Sequence, residues 1–242
     1  MINEEILREN ISSFLNKACP DGVPRSPDAF KVAENSGFDL VTNTQIKDQN
    51  GRSINYNPED DKEKQQWDVA RGLVNYIALE LIGNKSIPRE ISERIALSIA
   101  DRNSVRILLP EEYFPDDYKS NKGDLFALKK LYPNAGYDAL AFATIGMVKD
   151  NNEHGILTVF EKRPASDKPS VTSRMSTSFC QIKDVPLTLL EEDVLKASME
   201  EGKCIEDANE VILKGFHYVA RVRSWTVKLE DCLKIYMILT IL

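Results

Sequence analysis

The spacing of the apolar residues changes once along this chain, near residue 150, and that change constrains the fold more than any single motif. Before it, apolar side chains recur at three- and four-residue intervals; after it they come in short strand-like runs such as Ile156-Leu157-Thr158-Val159-Phe160. Between the two lies a turn-rich segment, Asp150 to Gly155, where a domain boundary is expected. The pattern predicts an α+β protein with its helices first.

Ile6, Leu7, Ile11, Phe14 and Leu15 make residues 4–18 an amphipathic helix that Cys19-Pro20-Asp21-Gly22 stops. A short helix is expected from Ser26-Pro27 to Asn35, and Phe38 to Val41 with Gly51 to Asn57 reads as a small hairpin or meander. Asn57-Pro58-Glu59-Asp60-Asp61 places a cap, a proline and three acids at the start of a long helix. That helix carries Trp67, Ala70, Leu73, Val74, Ile77 and Leu81 on one stripe and ends at Gly83-Asn84. A partner helix beginning near Ser86 to Pro88 presents Ile91, Ile95 and Ile99, with Val105 and Leu108 continuing the stripe before Pro110. Helix, turn, helix follows between Lys122 and Met147, broken at Pro133 to Gly136. In the last part a polar loop is expected from Arg163 to Thr177, one helix from about Pro186 to Gly202, and strands over Phe216 to Val227 and Leu233 to Leu242. The final run is so uniformly apolar that it reads as a strand buried on both faces.

Composition narrows the function classes. With 31 Lys and Arg against 38 Asp and Glu, interspersed, the formal charge is −7, so no concentrated basic surface for a nucleic-acid backbone is expected. No segment carries the ~20 apolar residues of a membrane span, and the acidic Met1-Ile2-Asn3-Glu4-Glu5 does not read as a secretory leader; the expectation is a soluble, cytoplasmic protein. Cys19, Cys180, Cys204 and Cys232 lack metal-site spacing and read as reduced thiols. His154 and His217, the two histidines, are too far apart in sequence for a zinc pair and read as a turn and a strand residue. The acid clusters Glu111-Glu112, Asp116-Asp117 and Glu191-Glu192-Asp193 read as solvated faces or helix starts.

Three stretches together carry a resemblance. Gly51-Arg52-Ser53-Ile54-Asn55-Tyr56-Asn57 resembles a strand leading into an active-site helix. Gln66-Trp67-Asp68-Val69-Ala70 resembles the Arg/Gln-Phe-Thr-Leu-Ala that precedes an HExxH motif. Ala100-Asp101-Arg102 with Ile107-Leu108-Leu109-Pro110 resembles the segment that closes such a domain. In this order they are similar to the ImmA/IrrE family of HExxH metallopeptidases, which act on helix-turn-helix repressors. The resemblance implies a metallopeptidase-like (zincin-like) domain over residues 1–115, a small helix-turn-helix-like domain over 116–149 and a GAF-like α/β domain over 150–242.

The departure from that family is as informative as the match. Where HExxH should stand, the chain reads Arg71-Gly72-Leu73-Val74-Asn75. Zinc needs His at i and i+4 and a Glu between them to polarise water, so no catalytic residue, metal ligand or cofactor is expected here. The third-ligand position falls on Glu93 in one register and near Leu97 and Ile99 in another. Arg71 is expected either to pair an acid such as Glu93 or Glu80, or to present its donor fork to a bound peptide or carboxylate. Arg71, Asn75, Trp67 and Glu93 are thus the groove and partner-binding candidates, although the spacing of Trp67 also fits plain core. The resemblance implies a regulatory pseudopeptidase that binds a protein partner, such as a helix-turn-helix transcriptional repressor, without hydrolysis. An active zinc endopeptidase is one alternative. A small-molecule sensor is another, with Phe160, Phe179, Phe216, Tyr218, Trp225 and Tyr236 lining a ligand cavity in the GAF-like part, although packing between helix and sheet explains these aromatics equally well.

Overall fold

A computed structural model of the chain describes residues 3–42, 52–83, 89–151, 153–177, 182, 185–201, 204–213, 216–229 and 231–242. The expected turn and cap residues Gly51, Asn84, Ser86 to Pro88 and Gly202, together with Phe179 and Cys180, lie outside these. Helices and an antiparallel sheet make the protein mixed α+β, divided into two compact units, Met1–Leu140 and Ala141–Leu242. Among the described residues no helix is long and apolar enough to cross a membrane.

In the first unit α1 (Glu4–Ala18) starts where Asn3 accepts the Glu5 amide and buries Leu7, Ile11 and Leu15. α2 (Ala29–Asn35) is capped by Asp28 rather than Ser26. The two strands β1 (Asp39–Val41) and β2 (Ser53–Asn55) overturn the expected hairpin: they pair in parallel, Leu40 opposite Ile54. A tight turn cannot produce that pairing, because both strands are entered from the same end.

The long α3 (Lys62–Ile82) begins at Asp61, whose side chain accepts the Lys64 amide, and buries Val69, Ala70, Leu73, Val74 and Ile77. It packs on α4 (Arg89–Asn103), with Ile99 of the expected stripe in the contact and Val105 and Leu108 buried, but without Ile91 and Ile95. Ala78 and Ala96 fill that contact, while Ile91 and Ile95 are 50% and 40% exposed. Small side chains let the two helix axes approach closely, which turns those two isoleucines outward. The short α5 (Val105–Leu108), an unanticipated α6 (Phe114–Ser120), α7 (Leu125–Leu131) and α8 (Tyr137–Asp150) follow.

The second unit is a five-stranded sheet, β3 (His154–Lys162), β4 (Ser170–Ser176), β5 (Ile205–Leu213), β6 (Phe216–Lys228) and β7 (Leu233–Ile241), in the order β4-β3-β7-β6-β5, every pair antiparallel. The C-terminal run lies in the middle, with Ile235 to Leu239 buried, because a central strand is covered on both faces. α9 (Leu189–Glu201) packs Leu190 and Val194 on the face made by Phe160, Val222, Ile235, Met237 and Leu239. Two strands were not legible as such: β4 stands where a polar loop was expected, and β5 was not anticipated. Both are edge strands.

Candidate functional site

The candidate groove is built on α3, whose position is fixed by a buried glutamine. Gln66, 1% exposed, accepts the Ala29 amide at 2.7 Å and donates to Asp28 at 2.8 Å, which locks α3 to the start of α2. From there Asp68, Gly72, Asn75 and Leu79 recur along one face of the helix, with Arg71 and Tyr76 flanking it. Opposite them stand β2, Phe38 and Leu97 of α4, and the cleft between has a volume of about 720 Å³.

At the centre of the cleft strand and helix touch. A Cβ on Gly72 would lie 2.5 Å from Cγ2 of Ile54, so β2 rests on the helix where only a glycine admits it. Ile54 is 3% exposed. The helix face at residue 72 is therefore filled by the strand's own side chain.

On either side of that contact the chemistry is polar. The Nε of Arg71 donates to Oδ1 of Asp101 at 2.5 Å, with the two side chains 41% and 54% exposed. Asp101, rather than Glu93 or Glu80, is thus the acid that takes the guanidinium. One turn on, Oδ1 of Asn75 is buried and has no hydrogen-bond partner among the described residues. Burial raises the pKa of Asp68, with Lys64 and Arg71 pulling it back and Asp60 adding to the rise.

The structure brings Arg71 and Asn75 together on the cleft wall and leaves the other two candidates off it. Trp67 is half-buried outside the described lining, and Glu93 is half-buried elsewhere on α4, whereas Leu97, its competitor in the alternative register, faces the cleft. The residues present do not fit a zinc ion. Arg71 is a cation already held by Asp101, Asn75 is a poor donor and Leu97 is no ligand. Among the described residues no group of three His, Cys, Asp or Glu side chains stands close enough to hold a metal.

Sequence reasoning missed the most buried charges among the described residues. Glu191, expected on a solvated face or a helix start, does stand in the first turn of α9, but it is 0% exposed and binds Arg174, 1% exposed, through two bonds of 2.6 and 3.0 Å. Nη1 of Arg174 also donates to the Thr158 hydroxyl, and Glu191 accepts the Thr188 amide at 2.8 Å. The signal was available, since Thr188-x-x-Glu191 is a capping box. Asp117 stands in the first turn of α6, as a helix-start acid was expected to, but it and Glu111 are also occupied: Glu111 by Arg8 and Arg106, Asp117 by the Tyr132 hydroxyl and Arg25.

Of the two readings of the aromatics in the last part, a ligand cavity or packing between helix and sheet, the buried Phe160, Trp225 and Tyr236 fit packing, and the pleat divides them. Phe160 lies opposite Ile235 on the α9 face, whereas Trp225 and Tyr236, paired across β6 and β7, point to the other face. Tyr218 is 37% exposed. His154 and His217 sit exposed at the start of β3 and in β6.

No known family profile matches the chain, and no curated protein matches it in sequence. Among solved structures, one titled "Mycobacterium tuberculosis transcriptional regulator" matches with a TM-score of 0.63 at 11% identity, covering 98% of this chain and 76% of that one. At that identity the likeness is one of fold.

Proposed function

We propose that this protein is a regulatory pseudopeptidase, a degenerate member of the ImmA/IrrE family that binds a helix-turn-helix transcriptional repressor in the cleft beside Arg71 without cutting it. The observation that carries the reading is the contact between Gly72 and Ile54: the cleft persists between helix and strand, but the space a general base needs is occupied. On this reading residues 1–115 form the metallopeptidase-like part, 116–149 a small helical part and 150–242 a GAF-like part, whose helix-on-sheet build agrees with the order of elements. The fold shared with a transcriptional regulator of M. tuberculosis favours a regulatory role.

The mechanism is recognition. Arg71 and Asn75, one turn apart on α3, offer donors and an acceptor to a partner, and Leu97 supplies apolar contact. A photo-reactive amino acid at Leu97, irradiated in cells, tests this directly. The expected product is a crosslink to a helix-turn-helix repressor that keeps its full mass on incubation with the purified protein, with or without added zinc. A repressor cleaved in that incubation overturns the pseudopeptidase reading, and capture of proteins of other classes overturns the choice of partner.

A further inference from the structure

The ion pair at the mouth of the cleft is one-sided. Arg71 makes its one hydrogen bond among the described residues through Nε, to Oδ1 of Asp101. Nη1 and Nη2, the edge of the guanidinium whose two parallel N–H bonds match a carboxylate, have no partner among the described residues while the side chain lines the cleft. Asp101 does for this arginine what a supporting carboxylate does in general: it holds the plane of the fork from behind. Asn75, four residues on and therefore on the same side of the helix, carries an amide whose buried Oδ1 has no partner among the described residues either. Resting on the reading of the cleft as a recognition site, we propose that Arg71 and Asn75 form a carboxylate-binding subsite in which the Nη1/Nη2 edge of Arg71 donates two bonds to the ligand and Asn75 the third.

Asp68 places the ligand along the helix. It lies one turn before Arg71 and also lines the cleft, so an anion is repelled from that end and seats on the Asn75 side. Asn75 serves this ligand by turning its Nδ2 toward the carboxylate oxygen, since the buried Oδ1, unpartnered among the described residues, can only accept. Such a ligand has two sources, the α-carboxylate at a chain end or the side chain of an internal Asp or Glu. Arg71 is here a binding residue and Asp101 a positioning residue.

The test is a titration of the full chain, labelled with ¹⁵N, following the Nε–H resonance of Arg71. Sodium acetate is the first probe, at constant ionic strength, followed by a short acetylated peptide with a free C-terminus and an amidated peptide with an internal glutamate. Acetate is expected to shift the resonance saturably. Arg71→Lys, which keeps the charge and loses the fork, is expected to weaken binding about tenfold. Asn75→Ala is expected to weaken it less. Asp101→Asn moves the Nε–H resonance in any case, because it removes that proton's acceptor; it is also expected to weaken acetate binding while leaving the melting temperature unchanged, which a merely structural role would not give. Binding of one peptide but not the other supports the subsite and identifies the source. A shift that does not saturate, acetate binding unchanged in Arg71→Lys, or neither peptide binding overturns it. If the Leu97 crosslink still captures a repressor, the subsite alone has failed and the cleft's proposed function stands.

Discussion

Arg174 and Glu191 join β4 to the first turn of α9 through two hydrogen bonds, and neither side chain reaches water. A buried pair of this kind adds little to stability against a well-packed apolar pair, but breaking it from one side strands a charge. Glu191→Gln is expected to destabilise the protein by about 3–5 kcal/mol. The double replacement Arg174→Met with Glu191→Leu is expected to cost less than Glu191→Gln alone, and urea unfolding of the three proteins measures the difference.

Gly72 sits in the interior of α3, where alanine would ordinarily favour the helix by about 1 kcal/mol. Here the added Cβ meets Ile54 at 2.5 Å, with two further Ile54 carbons at 3.1 and 3.3 Å. Gly72→Ala is therefore expected to destabilise by about 1–3 kcal/mol. In an Ile54→Ala background the same change is expected to be neutral or stabilising. A double-mutant cycle on denaturant midpoints reads the coupling.

The Arg71–Asp101 pair is largely exposed, and exposed pairs contribute about 0–1 kcal/mol. Arg71→Ala is accordingly expected to leave the melting temperature within about 3 °C of the parent. Loss of crosslinking at Leu97 in a variant that still melts normally separates recognition from folding.

Asp68 carries a pKa raised by burial, so its ionised form is disfavoured in the folded state. Stability tied to this group is present below the carboxylate's ordinary pKa and is lost as the pH rises through the folded value. Asp68→Asn is expected to be more stable than the parent at neutral pH and to lose that advantage in acid. Parallel urea titrations at neutral pH and below the ordinary Asp pKa decide it.

β7 pairs with β3 on one side and β6 on the other, and Ile235, Met237 and Leu239 are fully buried. Each such side chain contributes about 1.5–3 kcal/mol against a total stability of ~5–15 kcal/mol. A chain ending at Asp231 is expected to be insoluble or to lack a cooperative melt. Cooperative unfolding near the parent temperature would show that the sheet tolerates loss of its centre.

The sequence by itself determined the elements that are defined by their own burial. α1, α3, α9 and the strands β3 and β7 announce themselves because one stripe of a helix, or both faces of an inner strand, must be apolar to leave water, and β6 through its alternating apolar residues. It also determined that no HExxH stands at residues 71–75. What depends on a neighbour was decided only by the tertiary structure. The edge strands β4 and β5 carry polar residues because solvent reaches them, and the ladder to β3 or β6 makes them strands. The parallel pairing of β1 with β2 and the outward turn of Ile91 and Ile95 follow from what each segment meets. The partners of charges have the same origin. Asp101 reaches Arg71 across thirty residues and Glu191 reaches Arg174 across seventeen, because an ion pair is set by where two helices or a helix and a strand come to rest, and composition leaves no trace of that distance.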